Sequence, residues 1–87
     1  MNRRVIWSDR ALDDLGLVAR QDRRTAQRIS DTIDQLADQN IGDVKKLAGA
    51  AGEYRLRVGN WRLLFSFEDG GSTLLVRRVL NRRDAYR

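Results

Sequence analysis

The chain has 87 residues, with 17 Lys and Arg against 12 Asp and Glu, a formal net charge of +5. It contains neither Cys nor His, which excludes a disulfide framework, thiolate chemistry, histidine acid–base catalysis and the common zinc sites. The length suits one small domain, residues 1–87, with a modest core, and no apolar run approaches the roughly 20 residues that cross a bilayer.

Residues 3–7, ending Val5-Ile6-Trp7, form a short β-prone run. The start is too briefly apolar for a secretory signal, so a soluble cytoplasmic protein is expected. Ser8 reads as an N-cap for a helix over residues 9–19, with Ala11, Leu12, Leu15 and Val18 or Ala19 on one stripe. Asp22 is a second N-cap, and the spacing predicts a helix over residues 23–39. Ala26, Ile29, Ile33, Leu36 and Ala37 are its buried stripe. Arg24, Arg28, Asp31, Asp34, Gln35 and Asp38 mix signs and read as a solvated face. So short a break predicts a helical hairpin. Residues 43–52 read as a loop with two glycines, in which Val44 and Leu47 tuck inward and Lys45-Lys46 form a basic pair.

Residues 54–67 carry the strongest local signal. Two apolar-rich runs flank Gly59-Asn60, a two-residue hairpin turn. That turn sets Val58 opposite Trp61, Arg57 opposite Arg62, Leu56 opposite Leu63, Arg55 opposite Leu64 and Tyr54 opposite Phe65. Alternation sends Tyr54, Leu56, Val58, Trp61, Leu63, Phe65 and Phe67 to a core face. Arg55, Arg57, Arg62, Leu64, Ser66 and Glu68 take the other face. Like charges directly opposite destabilise a sheet, so the Arg57–Arg62 pair is either a tolerated solvated feature or an anion site. Arginine's planar fork of donors suits phosphate.

Residues 68–72 are turn formers and residues 73–80 a further strand. Two registers are open. One puts Leu74, Val76 and Arg78 on the core face, the other Leu75, Arg77 and Val79. The tail reads Asn81-Arg82-Arg83-Asp84-Ala85-Tyr86-Arg87, and either frays or docks near the basic face. Charge follows this division. Residues 1–53 hold nine basic and nine acidic side chains, whereas residues 54–87 hold eight Arg against three acidic residues. An anionic partner follows, nucleic acid before membrane surface, since no basic amphipathic helix supports membrane binding.

The order strand, two helices, three-stranded meander and basic tail resembles the RelE/ParE superfamily of type II toxins. The resemblance covers nearly the whole chain. It is carried by Lys46-Leu47-x-Gly49, by the run from Tyr54 to Phe65, and by Arg82-Arg83-Asp84-x-Tyr86-Arg87. It implies an α+β fold, a small twisted, largely antiparallel sheet with a two-helix hairpin on one face. It also implies a toxin that cuts messenger RNA in the ribosomal A site, a cognate antitoxin, and promoter DNA bound only through the antitoxin complex. No cofactor, metal or membrane is implied.

Carried over by position, the resemblance makes Arg57, Arg62, Arg82 and Tyr86 the catalytic set. Lys45, Lys46 and Arg55 would grip the RNA backbone. Asn81 stands where many relatives carry His or Lys, and an amide cannot shuttle a proton. Arginine is a poor base as well, which leaves Tyr86, Glu68 and Asp84 as alternatives for proton transfer. A ParE-like gyrase inhibitor and a non-enzymatic RNA-binding domain are the other functional readings.

Overall fold

Two short polar side chains set the helical half of the chain in the computed structural model, which describes residues 2–49 and 52–85, the side chains of Asp84 and Ala85 excepted. Ser8 is extended, and its hydroxyl accepts from the Ala11 amide to open α1 (Asp9–Gln21). Asp22 ends α1 through its own amide on the Val18 carbonyl. Its carboxylate also caps α2 (Arg23–Gln39) by accepting from the Arg24 and Thr25 amides. The Thr25 hydroxyl and these amides hold the Asp22 carboxyl below its ordinary value of 3.8. One residue thus serves both helices, leaving no room for a loop between them. Asn40 ends α2 in the left-handed region at φ 59°.

The α2 stripe is buried as the spacing predicts: Ala26, Ile29, Ile33, Leu36 and Ala37. In α1 the stripe is narrower than expected. Ala11 and Val18 are buried and Leu15 and Ala19 partly so, but Leu12 is 51% exposed. The physical reason is position, since α1 packs on β1 and β5 at one side of the sheet.

The sheet has five strands, β1 (Arg4–Trp7), β2 (Asp43–Lys46), β3 (Glu53–Val58), β4 (Trp61–Glu68) and β5 (Thr73–Asn81), in the order β1-β5-β4-β3-β2. Only the β1–β5 pairing is parallel. Residues 43–46, expected to be loop, instead form an edge strand against β3. Val44 is 38% exposed rather than tucked in, while Leu47 is half-buried. A short, charged strand is how natural sheets protect an edge from further pairing. Its polarity hides it from an apolar-periodicity reading.

The β3–β4 register is the expected one at every pair from Val58–Trp61 to Tyr54–Phe65. Of the two turn residues only Gly59 takes positive φ, 59°, the pattern of a type II′ turn. A Cβ there would also lie 3.2 Å from an Arg28 guanidinium nitrogen. Gly59→Ala is therefore expected to lower stability by about 1–2 kcal/mol, read as an earlier urea midpoint.

Leu56, Leu63, Phe65, Leu74 and Val76 are fully buried and form the core with Ile29 and Ile33 of α2. Tyr54, Phe65 and Phe67 close one end, with ring centroids 5.6, 5.3 and 5.5 Å apart. The Arg3 guanidinium lies 4.6 Å from the Phe67 centroid and donates to the Gly71 carbonyl.

Both registers considered for residues 73–80 occur, one in each half of β5. Phe65 pairs with Val76, but Leu64 pairs with Arg78, so Arg77 is the extra residue of a β-bulge. Leu74 and Val76 face the core before the bulge, and Val79 after it. β1 ends at Trp7 opposite Val76, so the last part of β5 has no strand on its outer side. Asp14 of α1 fills that role. Its carboxylate accepts from the Val79 amide at 2.9 Å and from Arg78 Nε at 2.8 Å.

Candidate nucleic-acid interface

Alternation along the paired strands builds the face away from the helices in rows. The row nearest the hairpin tip reads Asp43, Arg57, Arg62 and Leu80 across β2, β3, β4 and β5. The next reads Lys45, Arg55, Leu64 and Arg78. Arg78 is diverted from this face by its ion pair with Asp14. Lys45 thus shares the arginine face with Arg55. Lys46 pairs with Tyr54 and belongs to the opposite face, so the basic pair is split.

Arg62 differs from its neighbours. Arg57 is exposed and Arg55 half-buried, whereas Arg62 keeps only 5% of its surface. One terminal nitrogen donates to the Trp61 carbonyl at 3.2 Å and reaches the Gly59 carbonyl at 3.5 Å. Nε is buried with no partner. Among the described residues no carboxylate pairs with it. A charge taken from water without a counter-charge is costly, and the like charge of Arg57 opposite adds to the cost. What this arrangement accommodates is an anion with several acceptor oxygens. Ser66 Oγ is the other buried group without a partner. It lies about 13 Å farther along β4, and a neutral hydroxyl is far cheaper to leave unpaired than a guanidinium.

The tail docks on the hairpin tip. The Arg82 amide donates to the Asn60 carbonyl at 2.7 Å. Asn81 Oδ1 accepts from the Arg83 amide at 3.2 Å and so caps the single turn α3 (Arg82–Ala85). α3 packs against β4 and β5, and Asn60, Asn81, Arg82 and Arg83 line a shallow hollow there. Arg82 is thereby held at the Arg62 end of the face. Tyr86 lies outside the described residues, as does the side chain of Asp84. Glu68 stands six residues along β4 from Arg62, about 20 Å away, which removes it as a proton acceptor beside Arg62.

Two features escaped the sequence reading. Arg28, taken for part of a solvated helix face, leans on the hairpin tip at Gly59. Asn81 has a definite task as a cap, for which an Asn just before a short basic turn was the available signal. Among the described residues no group of three or more acidic side chains converges to hold a metal ion, and no helix is long and apolar enough to cross a membrane.

Comparison with known proteins supplies the relatives. Residues 5–86 match the family model described as the ParE toxin of the type II toxin–antitoxin system parDE. A curated relative, Toxin RelE3 of Methanocaldococcus jannaschii, is 46% identical over 44 residues, covering 51% of this chain and 48% of its own length. The chain thus matches about half of that relative. Among solved structures, the RelB–RelE antitoxin–toxin complex from Methanococcus jannaschii is similar with a TM-score of 0.74 at 29% identity, covering 93% of this chain and 94% of that one. The YoeB/ParE toxin from Agrobacterium tumefaciens has a TM-score of 0.77 at 23% identity, covering 90% and 96%, and speaks to the fold alone. Both agree with an open, mostly antiparallel sheet carrying two helices on one face.

Proposed function

The chain belongs to the ParE toxin family of type II toxin–antitoxin systems, and we propose that within it this protein is an endoribonuclease that cuts messenger RNA on the ribosome. The observation that carries this reading is the buried Arg62, without a carboxylate partner among the described residues, and Arg57 directly opposite. Relatives named RelE support it.

The reaction is attack of a ribose 2′-hydroxyl on the adjacent phosphate. The O2′–P bond forms, the P–O5′ bond breaks, and the proton lost by O2′ is balanced by one gained at O5′. The products are a 2′,3′-cyclic phosphate and a 5′-hydroxyl. Negative charge builds on the equatorial oxygens in the pentavalent state. Arg62 and Arg57, fixed before the substrate arrives, stabilise it there. Arg82 serves the leaving oxygen. Tyr86 orients the phosphate or stacks on a base, and Arg55, Lys45 and Lys46 hold the backbone, Lys46 from the far side of the β2 edge. No histidine is available to move the proton, so the ribosome's ordering of the message in its A site is part of the mechanism.

The partner is an antitoxin with an acidic toxin-binding segment that covers the basic face or the helices. Promoter DNA enters only through that complex, and the setting is cytoplasmic. The RelB–RelE antitoxin–toxin complex, a solved relative at 29% identity, supports such a partner. The ParE description of the family keeps gyrase inhibition as a second reading. Controlled expression separates the two. Messages cut within open reading frames while DNA stays intact are expected. Double-strand DNA breaks with intact messages would establish the gyrase reading instead.

A further inference from the structure

Two guanidinium groups from different elements lean on the same two-residue turn. Arg62 of β4 points one terminal nitrogen at the Gly59 carbonyl, 3.5 Å away. Arg28 of α2 places a terminal nitrogen 3.2 Å from where a Gly59 Cβ would stand. Glycine at this position meets two needs at once, the positive φ of 59° and room for Arg28. The tail adds Arg82 and Arg83, joined to the same tip through the Asn60 carbonyl.

None of these arginines has a carboxylate partner among the described residues. The acidic groups of α2 that mark a solvated, mixed-charge surface lie farther along the helix: Asp31, Asp34 and Asp38. Gln27 binds Asp31 at 2.9 Å, which keeps that carboxylate on its own face of α2. Arg28 is exposed, so its side chain retains its hydration and remains available for a ligand. Arg28 at Gly59 extends the positive surface around the end of the sheet, from the arginine face to the helix face.

We propose that Arg28 forms a second phosphate subsite, and that the RNA backbone passes from Arg57 and Arg62 over the hairpin tip to α2. The ligand class is a single-stranded phosphodiester chain. Recognition is by charge and carries no base information. This rests on the ribonuclease reading above and adds the path of the strand. Arg28 is a binding residue and takes no part in the bond changes.

The test uses the full-length protein and a short single-stranded RNA whose reactive ribose is 2′-deoxy, with affinity measured against salt concentration. Neutralising one phosphate contact lowers the log–log slope by about 0.7 for a single strand. Arg28→Ala is expected to show that loss, and Arg28→Glu a larger fall in affinity at low salt. Both should leave the single-turnover cleavage rate on saturated programmed ribosomes unchanged. Arg4→Ala, exposed at the other end of the sheet opposite Thr73, should match the parent. If the parent binds RNA and Arg28→Ala keeps its full slope, the subsite is wrong and the ribonuclease reading stands. If the parent neither binds nor cuts RNA, the ribonuclease reading itself fails. A fall in the cleavage rate at saturation would overturn the assignment of Arg28 to binding alone.

Discussion

Arg62→Met is expected to make the protein more stable and to disable it in the same step. Arg62 is 5% exposed, its Nε has no partner among the described residues, and Arg57 stands opposite with the same charge. Methionine keeps an apolar stem of similar length and removes the buried charge. Replacement of buried charge by well-packed apolar groups is neutral or stabilising by about 1–4 kcal/mol, and the lower half of that range suits a side chain that retains two carbonyl contacts. Loss of a fixed donor from a charged transition state costs about 10²–10³-fold in rate. Urea unfolding reads the first effect and single-turnover cleavage the second. Arg62→Lys should recover part of the rate, because an ammonium supplies the charge without the planar fork. A variant that is less stable and equally active would mean that Arg62 is held for the fold.

The second large effect is on stability and starts at Asp14. Asp14→Ala removes bonds to Arg78 Nε at 2.8 Å, Arg78 Nη2 at 3.3 Å and the Val79 amide at 2.9 Å. The last matters most. The bulge at Arg77 and the short length of β1 leave that amide without a strand partner, so the variant strands a part-buried donor. A loss of about 2–3 kcal/mol is expected, a large fraction of the total for a domain of this size. Arg78→Ala should cost less, since Asp14 keeps the Val79 amide and Arg10 still lies in its field.

The sign of the pH dependence follows from the same contacts. Burial pushes the Asp14 carboxyl up, but the Arg78 hydrogen bond, the Val79 amide and the charges of Arg78 and Arg10 together hold it below 3.8. A group depressed on folding contributes stability that is fully present above its unfolded value. That contribution is lost as pH falls through the lower folded value. The parent should therefore lose stability on acidification from just above pH 3.8, and Asp14→Ala should lack that component. Unfolding midpoints measured at a series of acidic pH values would check it.

What could be read from the residues depended on how local the determining physics was. The register of β3 and β4 is fixed by a two-residue turn and by alternation, both contiguous in sequence, and it is legible down to Arg57 opposite Arg62. The α2 stripe is legible for the same reason. The register of β5 was not, because the bulge at Arg77 falls where β1 has ended and the Val79 amide is taken by Asp14, more than sixty residues earlier. The edge strand Asp43–Lys46 carries one apolar residue in four, and a periodicity reading has nothing to find there. At the site, the arginines on the sheet were placed on their face by alternation alone. That Arg62 is buried, that Arg28 reaches the tip and that Asn81 caps the tail all depend on tertiary packing.

The central claim is that buried Arg62, with exposed Arg57 opposite, acts on a phosphodiester. Its most direct test adds the purified protein to ribosomes programmed with a defined message and analyses the new RNA ends chemically. Fragments ending in a 2′,3′-cyclic phosphate, paired with 5′-hydroxyl ends and lost with Arg62→Met, are expected. An intact message under conditions where the same preparation blocks gyrase, or cleavage that Arg62→Met leaves at the parental rate, would contradict it.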